Sequence, residues 1–234
     1  MSAARFKAAV LISGSGSNLN ALIQAVAAGN LSLDIVRVIS NRAEAGGLNY
    51  ARDAGIPVSV IPHQQYADRE EHDCAIAAVL EQKGPDLIIL AGYMRILSED
   101  FARRFSNRMI NLHPSLLPLY KGLDTYNRAI AAGDQSAGAS IHAVTADLDD
   151  GPVISQVRIP IEADDDAATL AAKLGPLEHK LLLATVREFS EGHLKMISGP
   201  AERGPQAGSQ VTYKGDALDS PLILQTDGSL KKIP

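Results

Sequence analysis

The sequence predicts an α/β fold: a doubly wound, mostly parallel sheet with helices on both faces and a short C-terminal appendage. Three observations carry the prediction. Short apolar runs alternate with helix-period segments through the first half of the chain, joined by short connections. The first run, Ala8-Ala-Val-Leu-Ile12, passes into the glycine-rich Ser13-Gly-Ser-Gly-Ser-Asn18 and then into a helical pattern. The run Leu87–Ala91 is apolar without alternation, as a strand covered on both faces must be.

Ala8–Ile12 is thus the first strand, and Leu19–Ala28 is a helix that Gly29 ends, with Asn18 placed to cap it. Ile35–Ser40 is a second strand, Gly47–Ala54 a short helix closed by Gly55, and Pro57–Ile61 a third strand. The loop Pro62–Asp68 leads to an amphipathic helix over Arg69–Gln82, stopped by Gly84-Pro85. After Leu87–Ala91 and Gly92-Tyr-Met-Arg-Ile-Leu97, Ser98 caps a helix to about Phe105, with Glu99 and Asp100 favourably placed against its dipole. Met109–Asn111 is a fifth strand and Thr125–Ala132 a helix. Gly138–Val144 and Pro152–Ile161 alternate as strands on either side of the acidic loop Ala146–Gly151. Asp164-Asp-Asp166 opens a long helix that Gly175-Pro176 is expected to interrupt, so that its restart offers a second N-terminus to an anion. From Gly199 the composition turns to Gly, Pro and polar residues. Leu222–Gln225 and Leu230–Ile233 around Thr226-Asp-Gly-Ser229 read as a hairpin. The expected organisation is a body of residues 1–198 and a tail of residues 199–234.

With 234 residues and a formal net charge of −5, the chain has room for a sizeable core and lacks the basic field of a nucleic-acid binder. An anion must therefore be held by local donors. The single cysteine, Cys74, excludes an internal disulfide and reads as a buried small residue. The first apolar run is too short for a signal sequence and no stretch has transmembrane length, so the expected location is the cytoplasm. The Gly14–Gly16 turn fits neither a dinucleotide fingerprint, since Leu19 stands where a third glycine belongs, nor a Walker loop; a lone phosphate fits it better.

The stretch with the most chemistry is Asn111-Leu-His-Pro-Ser-Leu-Leu-Pro118. Asn111 and His113, two apart on a strand, point to the same face. An amide can donate to a developing oxyanion, and an imidazole can move a proton. Ligands of doubly wound sheets bind beyond the carboxyl ends of the strands, where Gly14–Asn18, Gly92–Leu97 and Asn111–His113 all fall. Arg95, at such a strand end, suits a ligand carboxylate. His142 reads as a satisfied core or edge residue, and His63, His72, His179 and His193 fall into no constellation.

Four segments in order, Ile12-Ser-Gly-Ser-Gly-Ser-Asn18, Leu90-Ala-Gly-Tyr-Met-Arg-Ile-Leu97, Asn111-Leu-His-Pro-Ser-Leu-Leu-Pro118 and Leu148-Asp-Asp-Gly-Pro-Val153, resemble the phosphoribosylglycinamide formyltransferases over about residues 7 to 198. The resemblance implies formyl transfer from 10-formyltetrahydrofolate, as cosubstrate, to the primary amine of glycinamide ribonucleotide in purine biosynthesis, without a metal. It implies a catalytic set of Asn111, His113 and Asp149, although chemistry alone leaves the choice between Asp149 and Asp150 open. Gly16, Ser17 and Asn18 match the loop that holds the substrate phosphate, and Gly175, Pro176, Leu177 and Glu178 a second substrate contact. Arg69, Met94, Arg95, Ile96, Leu97, Thr145, Ala146, Asp147 and Leu148 match the folate pocket. The chain departs from the pattern at Asp150, where a second glycine is common, and in Lys121-Gly-Leu-Asp-Thr-Tyr126, where Pro-Gly-Leu-His-Thr-His is common. These departures bear on affinity more than on reaction type.

The partners expected are small molecules, with no nucleic acid or membrane, for a monomer or homodimer. A tRNA formyltransferase is disfavoured by the tail, which has no dense basic run, and a formyltetrahydrofolate deformylase by a first strand beginning at Ala8. Formyl transfer to an amino-sugar nucleotide and a non-catalytic folate- or nucleotide-binding module are the remaining alternatives.

Overall fold

Ala8–Ile12 is fully buried as the end of β1 (Phe6–Ile12), in a computed structural model that describes residues 5–198 and 209–232. The chain forms two compact units, Met1–Ile110 and Asn111–Pro234.

In the first unit β1 is followed by α1 (Ser17–Ala27), β2 (Leu33–Ser40), α2 (Gly47–Asp53), β3 (Val58–Val60), α3 (Arg69–Lys83), β4 (Leu87–Leu90) and α4 (Glu99–Arg104). The strand order is β4-β1-β2-β3, and every pairing is parallel. The chain winds outward from β1 through β2 and β3, then returns to pair β4 on the other side of β1. That reversal makes the carboxyl ends of β1 and β4 the switch point at which such sheets bind ligands. Leu19 and Leu22 of α1 are completely buried, each contributing roughly 1.5–3 kcal/mol by leaving water. α3 buries His72, Asp73, Ile76, Ala77 and Leu80 along one stripe. Cys74 lies off that stripe and is exposed, contrary to the expectation of a core residue.

The second unit contains β5 (Met109–His113), which carries the boundary, α5 (Thr125–Ala131), β6 (Ser136–Ala143), β7 (Val153–Pro160) and α6 (Ala167–Ser190). Then come β8 (Leu194–Ser198), β9 (Ser209–Tyr213), β10 (Asp216–Ala217), β11 (Leu222–Leu224) and β12 (Leu230–Lys232). Its main sheet runs β5-β6-β7-β11-β12, with β6 antiparallel to β7 and β11 parallel to β7. β11 and β12 pair as the antiparallel hairpin expected around Asp227-Gly228. β8, β9 and β10 form a small sheet of their own. Residues 199–208 and Ile233, parts of the expected tail, lie outside the described residues.

α6 corrects one expectation: it runs unbroken for 24 residues with Pro176 inside it. Proline removes a single backbone donor, while the helix buries Leu170, Leu174, Leu181, Leu182 and Phe189. That apolar stripe outweighs one missing bond. Asp166 supplies the start, accepting the Thr169 N–H at 2.8 Å in a reciprocal capping box.

Candidate active site

The last residues of β5 and the loop after β6 bring Asn111, His113 and Asp149 together. Strand alternation puts Asn111 and His113 on one face, as expected. Gly151 seats the loop, since a Cβ there would run into the Ala143 carbonyl oxygen. Asp149 itself is left-handed (φ 51°), a backbone state that Asp and Asn tolerate better than other side chains.

His113 is buried, at 5% exposure, and its Nε2 lies 2.9 Å from the Tyr120 carbonyl. A carbonyl only accepts, so Nε2 carries the hydrogen. Nδ1 then faces Asp149 Oδ2 at 3.4 Å. The other face of the carboxylate is equally occupied. Oδ2 accepts the Gly122 N–H at 2.9 Å, and Oδ1 lies 3.4 Å from both Asn111 Nδ2 and His142 Nε2.

Burial lowers the His113 pKa, and the neighbouring His142 and Arg128 add to the shift. The Tyr120 carbonyl and Asp149 oppose it without cancelling it. Burial is therefore stronger here than the attraction of one carboxylate, and His113 is neutral near pH 7. For Asp149, burial pulls the pKa up, but the His142 and Gly122 hydrogen bonds and the two imidazoles hold it below the ordinary carboxylate value. The site thus holds an ionised carboxylate against a neutral imidazole whose bare nitrogen faces it.

His142 is the residue the sequence reading missed. It is buried at 2% exposure, its Nδ1 donates to the Ala143 carbonyl at 2.9 Å, and its Nε2 lies 3.0 Å from Asn111 Nδ2. A shift in the β6–β7 register falls between Ile141 and His142. Such an irregularity re-aims a side chain in a way that simple alternation does not foresee. The signal available was a histidine one residue before the strand end, leading into the loop that carries Asp149.

In the first unit, Gly16, not Asn18, is the N-cap of α1; it is left-handed (φ 76°) and makes no side-chain cap. Asn18 sits inside the first turn with its Oδ1 buried and unpartnered, which corrects its expected capping role. The first-turn N–H groups of α1 are consequently uncapped by any side chain. Gly16 is glycine for a second reason: a Cβ would collide with Gly47 Cα, at the place where Gly47 N–H bonds the Gly14 carbonyl (3.1 Å). Ser13 ties this loop to the next: its N–H donates to Gly92 O (3.1 Å) and its Oγ accepts from Met94 N–H (2.8 Å).

Of the expected folate-pocket residues in the first unit, Met94 and Ile96 are exposed, Arg69 is exposed at the start of α3, and Arg95 has a buried Nε with no partner. Leu97 differs: its side chain is buried in the core, so only its backbone is available. In the second unit Leu148 is half exposed, Ala146 and Asp147 are exposed, and Thr145 Oγ1 donates to the Asp147 carbonyl at 3.2 Å. Gly175, Pro176, Leu177 and Glu178 lie mid-helix, so they offer no helix start to an anion. Glu178 is instead positioned by its side chain, which accepts from the Tyr126 hydroxyl at 2.9 Å. Among the described residues, ligand-type atoms that crowd together occur at Glu188, Glu191 and His193, where His193 Nδ1 already lies 3.0 Å from Glu188.

The formyl transferase family model matches residues 6–186. Phosphoribosylglycinamide formyltransferase of Escherichia coli is 41% identical over 192 residues, 82% of this chain and 91% of that protein. The trifunctional purine biosynthetic protein adenosine-3 of Homo sapiens is 42% identical over 190 residues, 81% of this chain but 19% of that longer protein. A solved phosphoribosylglycinamide formyltransferase from Coxiella burnetii superposes with a TM-score of 0.84 at 41% identity, covering 92% of this chain and 96% of the other. The chain belongs to the formyl transferase family.

Proposed function

We propose that the chain transfers the formyl group of 10-formyltetrahydrofolate to the primary amine of glycinamide ribonucleotide. The observation that carries this reading is the cluster of Asn111, His113, His142 and Asp149, in a chain 41% identical to an enzyme of that activity. The amine nitrogen attacks the formyl carbon, giving a tetrahedral intermediate with an oxyanion. The bond from that carbon to N10 then breaks, and a proton from the amine ends on N10.

Asn111, and His113 once its Nδ1 has taken up a proton, would donate to the oxyanion, one such donor being worth roughly 3 kcal/mol of barrier. In the unliganded arrangement one Asn111 N–H donates to Asp149 and the His113 Nε2–H to the Tyr120 carbonyl. The longest bond, Asn111 to Asp149 at 3.4 Å, is the one most readily exchanged for the formyl oxygen. Asp149 takes part in the proton movement: its charge stabilises a proton arriving on the bare His113 Nδ1. The uncapped start of α1 at Gly16–Asn18 would hold the phosphate through backbone N–H groups. The exposed Met94 and Ile96 of the first unit, and independently the Thr145–Leu148 segment of the second, would contact the folate.

A formyl-transfer assay with glycinamide ribonucleotide beside an amino-sugar nucleotide and free amines tests the proposal. Preference for the ribonucleotide supports it; preference for the sugar nucleotide replaces it with the alternative transferase. Binding of both ligands with no transfer would leave only a binding module.

A further inference from the structure

Lys121 and Asp150, two positions at which the chain departs from the sequence pattern it otherwise resembles, meet as an ion pair. The pair lies beside the Asp149 carboxylate, on the two turns that build the site. Both turns hold left-handed backbones at residues other than glycine: Tyr120 (φ 55°), Asp124 (φ 59°) and Asp149 (φ 51°). Such backbones persist only where surrounding contacts fix them. One side of the Tyr120–Asp124 turn is fixed by Arg128, whose Nη1 donates to the carbonyls of Lys121 (2.6 Å) and Leu123 (3.3 Å). The other side has two ties to the Asp149 turn, Gly122 N–H to Asp149 Oδ2 and the Lys121–Asp150 ion pair. The same turn presents the Tyr120 carbonyl that holds His113.

We propose that Lys121 and Asp150 are positioning residues, a clasp that holds the Tyr120–Asp124 turn against Asp149 and so sets the His113–Asp149 geometry. The catalytic consequence rests on the proposed role of Asp149 in formyl transfer; the geometric claim does not. The clasp is half exposed, so its effect is modest and sensitive to salt.

The test is a double-mutant cycle of Lys121→Met, Asp150→Asn and both together, read in two ways on the full chain. The first readout is hydrogen exchange of the Gly122 amide, which reports the bond to Asp149 without any substrate. Each single change should speed it about two- to five-fold, the range of an exposed ion pair. The double change should be no faster than the worse single one. At about 1 M salt, where screening acts within roughly 3 Å, the unchanged protein should match the variants. The second readout is transfer: kcat should fall by a similar factor, with KM for both substrates unchanged and Tm lowered by no more than about 4 °C. Gly122 exchange unaffected by either change, or losses that multiply in the double variant, would overturn the clasp. Faster exchange with unchanged kcat would overturn its catalytic role. If the unchanged protein transfers no formyl group, the functional reading fails and the exchange cycle still decides the clasp.

Discussion

Replacing Asp149 by Asn removes one charge and little else, and the structure shows why the effect should be large. Asparagine accepts the left-handed backbone at this position, so the turn survives. The carboxylate, however, receives the Gly122 N–H on Oδ2 and an Asn111 N–H on Oδ1. An amide keeps one acceptor oxygen, so its NH2 group must face either Gly122 N–H or Asn111 Nδ2, donor against donor. The negative charge that stabilises a proton on His113 Nδ1, 3.4 Å away, is also lost. A lost acid–base function costs about a hundredfold to ten-thousandfold in rate. We therefore expect Asp149→Asn to lower single-turnover formyl transfer by at least about a hundredfold, roughly 2.7 kcal/mol at 1.36 kcal/mol per decade. Dissociation constants for folate and ribonucleotide should stay within a few-fold. His113→Ala combined with Asp149→Asn should be little worse than the poorer single change, because the two act on one proton. Near-normal transfer by Asp149→Asn alongside a large loss in Asp150→Asn would refute this assignment of the aspartates.

Other consequences can be measured separately. Ser17→Asp places a carboxylate at the uncapped start of α1; it should leave Tm unchanged or raised, increase KM for the ribonucleotide at least about tenfold, and leave folate affinity alone. Gly16→Val should instead destabilise the fold by at least about 3 kcal/mol in urea unfolding, because its side chain meets Gly47 backbone at a positive φ. A folate analogue should slow hydrogen exchange in Met94–Leu97 and in Thr145–Leu148; protection confined to residues after 208 would contradict both assignments. His113 has a pKa lowered below 6.5 in the folded chain, so its contribution to stability is complete above about pH 6.5 and falls as pH drops toward the folded value. Urea midpoints at pH 7 and pH 5 should differ less in His113→Gln than in the unchanged protein.

The strands of the first unit were legible because each is a short apolar run bounded by Gly, Pro or polar residues, and burial on both faces leaves no other composition. The Asn111–His113 pair was legible because a period of two is a property of any strand, and β5 extends through His113. Pro176 misled, since a local helix breaker was outweighed by an apolar stripe that only the whole of α6 reveals. His142 was hidden by a register shift between β6 and β7, which depends on the partner strand as much as on its own sequence. The charge state of His113 is not legible in the sequence either. A nearby carboxylate argues for an imidazolium, but the depth of burial that reverses it appears only once the Tyr120 turn covers the ring. The glycine-rich turn suggests an anion site, whereas the closest constraint on Gly16 is another backbone, at Gly47.

The site and the family converge on formylation of the glycinamide ribonucleotide amine by this chain. Its most direct test is a single-turnover reaction with 10-formyltetrahydrofolate bearing a 13C-labelled formyl group, with the product followed by NMR. The label should appear as the formamide of the ribonucleotide, one equivalent per enzyme, with kcat/KM at least about a hundredfold above any amino-sugar nucleotide; label found on a sugar nucleotide instead, or released as formate while the ribonucleotide amine stays free, would show that the ribonucleotide is not the acceptor.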